Sequence, residues 1–468
     1  MGPLPLMSKD IVVIGAGLGG LTAAALLAQA GHSVTLLEQG DWIGGKSRRI
    51  EVAGQTIDTG PSLLTFPGVW QKFLSRYREL GGEAKDLELK ILPEVGRYFF
   101  RGDAIDLPVP KEHPWHGPWQ RFAKEHEGLE GPITKLLTSG PLDTTTLPAL
   151  GELIKRYGIW LNTSAYLRRL SWMPEGLKEL IAIHTLNAGV SPEKTLPIYA
   201  SMTAVMASQG IAVPKGGVNE IPQLMAKLAK ESGAEIITSC KVERIAKGQV
   251  VTSSKTYTPE LIVSGLDHQR TRQLLTGRKP IPAARRSCSG VAIYATLAKP
   301  LPNETVTHSV VMPDEPSELY AALNSNLAPE QTMTFVNYYL PGDIYENTKP
   351  TVAVLLTAPA DGASPDLETP WVRGELDRVS RLMGLDQPID QLFEDYKILT
   401  ADYFGSFGAP GGALYGATRP LWQSGPFHKP AYRSAFRPWL YHVGASVHPG
   451  GGIPAVIGGA MNSVERLL

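Results

Sequence analysis

Residues 10–38 dictate how this chain begins to fold. Asp10 to Ile14 is a short β-branched run that reads as a buried strand. Gly15-Ala16-Gly17-Leu18-Gly19-Gly20 follows, a GxGxxG. Leu21 to Ala30 is rich in alanine and leucine and reads as a helix, stopped by Gly31. Ser33 to Leu37 reads as a second strand. Glu38 closes it, 18 positions beyond Gly20. In such a βαβ unit Gly15 permits a tight turn, Gly17 lets backbone approach a pyrophosphate, and Gly20 lets helix and strands pack closely. The helix N-terminus offers unpaired N–H groups and the positive end of a dipole. Glu38 is placed to accept hydrogen bonds from ribose hydroxyls. The unit by itself leaves nicotinamide and flavin dinucleotides both open.

The rest of the composition narrows the class. At 468 residues the chain suggests roughly two to four domains' worth of length. Forty-five basic and 45 acidic residues cancel, which argues against nucleic acid as a partner, because phosphate binding leaves a basic excess. Charged residues are 19% of the chain, below the roughly 25% of an ordinary soluble domain, and such a chain can handle an apolar substrate. Cys240 and Cys288 have no metal or disulfide spacing and read as reduced thiols of a cytoplasmic protein. Two long runs lack Asp, Glu, Lys and Arg: Ile11 to Leu37 and Pro438 to Val464. Glycine, proline and polar residues interrupt both, so neither is expected to be a leader or a membrane span.

A second glycine motif, Gly44-Gly45-Lys46-Ser47-Arg48, lies just past Glu38. Ile50 to Ile57 alternates like a strand and leads to Asp58-Thr59-Gly60-Pro61-Ser62. Gly-Gly followed by basic residues brings backbone and positive charge to a pyrophosphate, or simply opens a hairpin. With Glu38, these motifs resemble those of the FAD-binding amine oxidase–phytoene desaturase superfamily. The segment from Tyr441 through Gly450-Gly451-Gly452-Ile453-Pro454 to Ala460 is similar to the C-terminal signature of its bacterial carotenoid-desaturase branch. Ile198-Tyr199, Pro214 to Val218 and Ala435 to Pro438 fit the same pattern in order and spacing. The likeness is weakest over 96–181 and 297–396.

The resemblance implies an α/β (overall α+β) architecture. A Rossmann-like FAD-binding domain would be assembled from residues 1–93, 214–276 and 430–468. Residues 94–213 and 277–429 would form a substrate domain with a helical, membrane-associating part. Local patterns in the second segment predict an amphipathic helix over 219–232 and short strands at 236–238, 242–245, 249–252 and 261–264.

The implied cofactor is FAD, with no metal. Its expected contacts are Gly15, Ala16, Gly17, Leu18, Gly19, Gly20, Glu38, Gly44, Gly45, Lys46, Arg48, Gly60, Pro61 and Ser62, Val242 beside the adenine, then Gly444, Ala445, Gly452, Ile453, Pro454, Ala455 and Val456. Pro454 suits the first turn of a helix whose N-terminus faces the flavin ring. The resemblance implies desaturation of an acyclic polyene by hydride transfer to the flavin and proton loss from the resulting cation, with oxygen or a quinone as final acceptor. Such a cation needs little basicity, so His448 is a weak catalytic candidate, and a hydrogen-bonded loop histidine is the favoured reading. Asp58 reads as a turn-stabilising carboxylate and His184 as a core histidine.

Carotenoids reside in bilayers, so a cytoplasmic enzyme peripherally associated with the membrane is expected. Leu150, Leu153, Ile154, Tyr157, Trp160 and Leu161 fall on one face if helical, with Lys155, Arg156, Arg168, Arg169 and Trp172 nearby. This is either an interfacial face or a core helix. Within the branch, a C-3′,4′ desaturase acting on a 1-hydroxylated end is the favoured reading. It rests on Gly-Gly-Lys in place of Gly-Gly-Arg, the Gly60 to Thr65 run and the short chain. Phytoene desaturase, a flavin-dependent polyene isomerase or saturase, and a non-enzymatic prenyl-lipid carrier are the alternatives. A flavin amine oxidase fits the terminal motif poorly.

Overall fold

The computed structural model describes residues 7–279, 285–423 and 427–468. The first six residues of the 1–93 segment lie outside it. Two sheets organise the molecule. The first has six strands in the order Arg433–Ser434, Arg437–His442, Leu261–Ser264, β1 (Asp10–Ile14), β2 (Ser33–Leu37) and Glu235–Ile237. All pairs are parallel except the short first one. Ile11, Val12, Val13 and Ile14 are all buried, as a central parallel strand covered on both faces requires.

The helix after β1, α1 (Leu18–Gln29), is buried almost all round. Its alanines let Glu220–Glu231 and Ile453–Val464 pack against it. Side-chain patterning therefore does little here and close backbone approach does much. A Cβ on Gly20 would lie 1.9 Å from the Gly15 carbonyl oxygen, and one on Gly19 would lie 2.7 Å from the Gly444 nitrogen.

The second sheet has seven strands in the order Phe393–Leu399, Ser289–Leu297, Thr351–Ala358, Thr334–Tyr339, His308–Val311, Gly96–Phe100 and Asp103–Leu107. It is antiparallel apart from His308–Val311 beside Gly96–Phe100. Along Ser289–Leu297, Val291, Ile293 and Ala295 meet Val372, Leu376 and Val379 of the Pro370–Leu382 helix. Those three helix residues recur at helical spacing and form its apolar stripe. Ala292 and Tyr294 point the other way, onto Ile50, Val52 and Ile57.

That contact corrects one expectation. Residues 50–57 are not one strand but a hairpin, Arg49–Val52 with Gln55–Asp58. Ala53 and Gly54 form its two-residue turn, with φ of 45° and 72°, the positive-φ pair that matches strand twist. Alternation alone does not mark the reversal.

A second correction concerns 150–161. The helix is Leu147–Tyr157 and ends at Gly158, whose φ is 65°. Trp160 and Leu161 lie beyond it. Leu153 and Tyr157 turn into the core, while Ile154, Ile159 and Leu161 are 65%, 86% and 75% exposed. Trp172 is not with them on the exposed side; it packs against the core beneath the Arg121 guanidinium. Among the described residues no helix is long and apolar enough to cross a membrane.

One ion pair ties the second sheet to its covering helix. Arg378 donates to Glu375 and to the carbonyls of Met312 and Thr332, and both charged side chains are buried. Removing one partner strands the other charge. R378A is expected to destabilise the protein by about 3–5 kcal/mol, whereas replacing both residues by apolar ones costs far less. Thermal melts of the two variants test this.

Candidate functional site

A cavity of about 870 Å³ runs between the two sheets. One end lies at the C-terminal edges of β1 and β2. There the Glu38 carboxylate accepts hydrogen bonds from the Ala16 N–H at 2.7 Å and the Gly40 N–H at 2.8 Å. Gly44 donates to the Ala16 carbonyl, and Gly17 and Gly44 form a bridge. The two glycine motifs are thus folded onto each other. Val242 and Cys240 line the cavity beside them.

The Asp58 turn is held from behind. Arg49 donates to the Asp58 carboxylate, as does the Asn219 N–H at 2.8 Å, while Asn219 Nδ2 donates to the Ser47 carbonyl. Burial pushes the Asp58 carboxyl up, and Arg49 opposes this. Asp58 therefore locks the hairpin to the Glu220–Glu231 helix rather than serving as a base. The Gly60 N–H beyond it donates to the Tyr294 hydroxyl at 3.0 Å, which fixes the Gly60-Pro61-Ser62 wall against the second sheet.

The C-terminal segment completes the cavity. Val443 donates to the Ser264 carbonyl, and Gly444 and Ala445 then pass α1. Gly452 begins the Ile453–Val464 helix, with Pro454 in its first turn. Neither this helix nor α1 has a side-chain cap, and both N-termini border the cavity. Their first-turn N–H groups and dipoles are available to an anion or an electron-rich ring.

Most of the expected residues come together here. Gly15, Gly17, Leu18, Gly19, Glu38, Gly44, Gly45, Lys46, Gly60, Pro61, Ser62, Val242, Gly444, Ala445 and Gly452 through Val456 line the cavity. Ala16 and Gly20 do not line it; one holds Glu38 and the other lets the helix close on the strand. Arg48 does not line it either, and its guanidinium lies over the Trp42 ring. Lys46 donates to the Leu414 carbonyl, and burial lowers its pKa to about 8 against the pull of Asp267. His448 lines the cavity, contacts the Tyr432 hydroxyl and is lowered to about 4 by burial, so its imidazole is neutral at pH 7.

Sequence reasoning missed Asp267, Tyr415 and Arg419. Arg419 donates to the Ser446 carbonyl, and the Ser446 hydroxyl donates to Asp267. Tyr415 lies over Gly451, where a Cβ would sit 2.5 Å from its ring. Asp267 was legible as the N-cap that follows the Leu261–Ser264 strand. Tyr415 and Arg419 lie in irregular loops without a periodic signal.

These residues fit FAD. An acid and two glycine loops stand at one end, an uncapped helix N-terminus and backbone glycines at the other, and the cavity connects them. It continues beyond the C-terminal segment between apolar side chains, including Leu186, Ile198, Met202, Phe335, Leu355 and Phe404.

The chain is similar to several characterised proteins along its whole length. The zeta-carotene-forming phytoene desaturase of Myxococcus xanthus is 27% identical over 98% of this chain and 94% of its own. The hydroxyneurosporene desaturase of Rubrivivax gelatinosus is 27% identical over 99% and 94%. The 4,4′-diaponeurosporene oxygenase of Staphylococcus aureus is 28% identical over 96% of each. Among solved structures, cyclohexylamine oxidase from Brevibacterium oxydans matches with a TM-score of 0.62 at 14% identity, covering 98% of each chain. The CLA-producing fatty acid isomerase of P. acnes matches at 0.57 and 14%, again over 98% of each. The fold is that of the FAD-binding amine oxidases.

The cradle yields a direct prediction. E38A leaves the Ala16 and Gly40 N–H groups without their acceptor and so loosens the cradle, and FAD affinity should fall at least about tenfold. The flavin-to-protein ratio after purification and dialysis reads this, and E38Q should retain more flavin than E38A. The sequence model of the flavin containing amine oxidoreductases matches residues 18–262, just over half of the chain, and the protein belongs to that family as an FAD-dependent oxidoreductase.

Proposed function

We propose that the protein is a carotenoid desaturase that introduces a C=C bond at the C-3′,4′ position of an acyclic end, as in a 1-hydroxylated carotenoid. One observation carries the desaturase reading: the FAD cradle opens directly into a cavity whose further walls are mostly apolar. The relatives' carotenoid activities support it. FAD held by Glu38, Gly44-Gly45 and the Gly452–Val456 segment would supply an acceptor for the hydride equivalent that leaves one carbon, while a proton leaves its neighbour as the double bond forms. The chain's own residues position the polyene against the cradle and exclude water. Neutral His448 is available to take up a proton, but a cation spread over a polyene needs no strong base. Oxygen or a quinone is the proposed final electron acceptor.

The substrate arrives from a membrane surface in this reading, and the enzyme is cytoplasmic and peripherally bound. Leu150 and Leu196 line the cavity and are also 39% and 37% exposed, so they mark its mouth. Leu142, Leu147, Ile154, Ile159, Trp160 and Leu161, in the same or flanking segments, are exposed too. Lys155, Arg168 and Arg169 are exposed among them. Apolar side chains with basic neighbours suit a headgroup interface.

Two experiments test the reading. Expressed in cells that accumulate phytoene, lycopene or a 1-hydroxylated carotenoid, the protein should shift the absorption maximum of the hydroxylated pigment to longer wavelength. Coloured product from phytoene would assign an earlier step instead. Separately, the double substitution I159D/L161D should cut flotation with anionic liposomes at least tenfold, since each large side chain withdrawn from lipid forfeits about 1.5–3 kcal/mol. Equal flotation of variant and parent would refute this mouth as the membrane contact.

A further inference from the structure

Beyond the cradle, one row of polar side chains runs among the apolar ones that line the cavity. Ser62, in the cradle wall, accepts a hydrogen bond from Asn337 Nδ2 at 2.9 Å. With its amide nitrogen so used, Asn337 turns Oδ1 to His308 Nδ1 at 2.6 Å. His308 therefore carries its proton on Nδ1 and a lone pair on Nε2. His308 is 6% exposed and lines the cavity, and its Nε2 has no hydrogen-bond partner among the described residues.

His184 stands close by. A Cβ placed on Gly96 would touch His308 at 3.0 Å and Tyr98 at 3.6 Å. The Tyr98 hydroxyl lies 2.7 Å from His184 Nε2. His184 Nδ1 lies 3.3 Å from the Asn187 amide nitrogen. Asn187 lines the cavity, and its carbonyl oxygen has no partner among the described residues. Burial lowers both histidines, His184 to about 3, so both rings are neutral. The row thus presents a buried acceptor at His308, a hydroxyl donor at Ser62, and a partly unused amide at Asn187.

A pure hydrocarbon filling this space would cover those groups and satisfy none of them, which costs binding. An alcohol is the group that both donates and accepts. We propose that Ser62, His308 and Asn187 form a subsite for the hydroxyl of a polyene with an oxygenated end, and so select a terminal alcohol over a hydrocarbon or a carbonyl. This deepens the C-3′,4′ reading and rests on it for the reaction, but not for the binding. Ser62 is part of the cradle wall itself, so the row starts at the cradle. A hydroxyl whose own carbon is two bonds from the desaturated pair suits that placement.

The test uses the FAD-loaded protein in detergent micelles, with quenching of flavin fluorescence as the binding signal. Three probes are compared: lycopene, its 1-hydroxy derivative, and an acyclic carotenoid with a terminal carbonyl. The alcohol should bind at least about tenfold tighter than lycopene, with the carbonyl between them. H308L and N187L should each move the alcohol-to-lycopene ratio towards one. Flavin content reports folding, and N187L, at a half-buried position, guards against a failure of H308L to fold. Equal binding of alcohol and lycopene by the parent, or an unchanged ratio in folded N187L, would overturn the subsite. Turnover is scored apart. Selective binding without desaturation would leave the subsite standing and sink the desaturase reading. Unselective binding with turnover of all three would do the reverse.

Discussion

Close backbone approach around β1 is the constraint on which everything else depends. The Gly15 carbonyl, α1 and the Gly444 backbone come within van der Waals distance only because Gly19 and Gly20 carry no side chain. A single Cβ at either position would collide with main chain, which has no rotamer by which to yield. With those contacts in place, α1 lies against the strands, its uncapped N-terminus opens on the cavity, and the 444–456 segment can cross in front of it. Alanine on the outer surface of α1 extends the same logic to the two helices that cover it.

The 49–58 hairpin is one of the joints between the second sheet and this arrangement, beside the main core that both share. Ile50, Val52 and Ile57 fill the space beneath Ala292 and Tyr294, and Asp58 binds Arg49 and Asn219. The Tyr294 hydroxyl then takes the Gly60 N–H. Apolar packing supplies the attraction, while the buried polar contacts fix where the turn sits. The glycine-lined wall of the cavity and the wall supplied by the second sheet are therefore one piece of structure.

Much of this was legible in the sequence because backbone geometry demanded particular residues. The order strand, Gly15 to Gly20, helix, strand, Glu38 has few other physical uses, and the structure follows it from Asp10 to Leu37. Pro454 likewise announced a helix start, and the helix begins at Ile453. The residues that were misread obey weaker rules. Alternation at 50–57 is the same in a strand and in a hairpin, and only the Ala53-Gly54 turn tells them apart. The spacing at 150–161 suits a helical face, but Gly158 ends the helix before Trp160. Arg48 follows the Gly44-Gly45 pair, yet the ring of Trp42, three residues before Gly45, holds it instead. Long-range partners such as His308 with Asn337, or Arg419 with Ser446, leave no local period to read.

The parallel register of Leu261–Ser264 with Arg437–His442 has a bearing on biosynthesis. The strand beside β1 must wait for a neighbour made some 170 residues later, while the seven-stranded sheet is complete at Leu399. During translation the second sheet can therefore form first, and the dinucleotide sheet stays open along one edge until the ribosome has passed His442. An open parallel edge is a surface for wrong pairings.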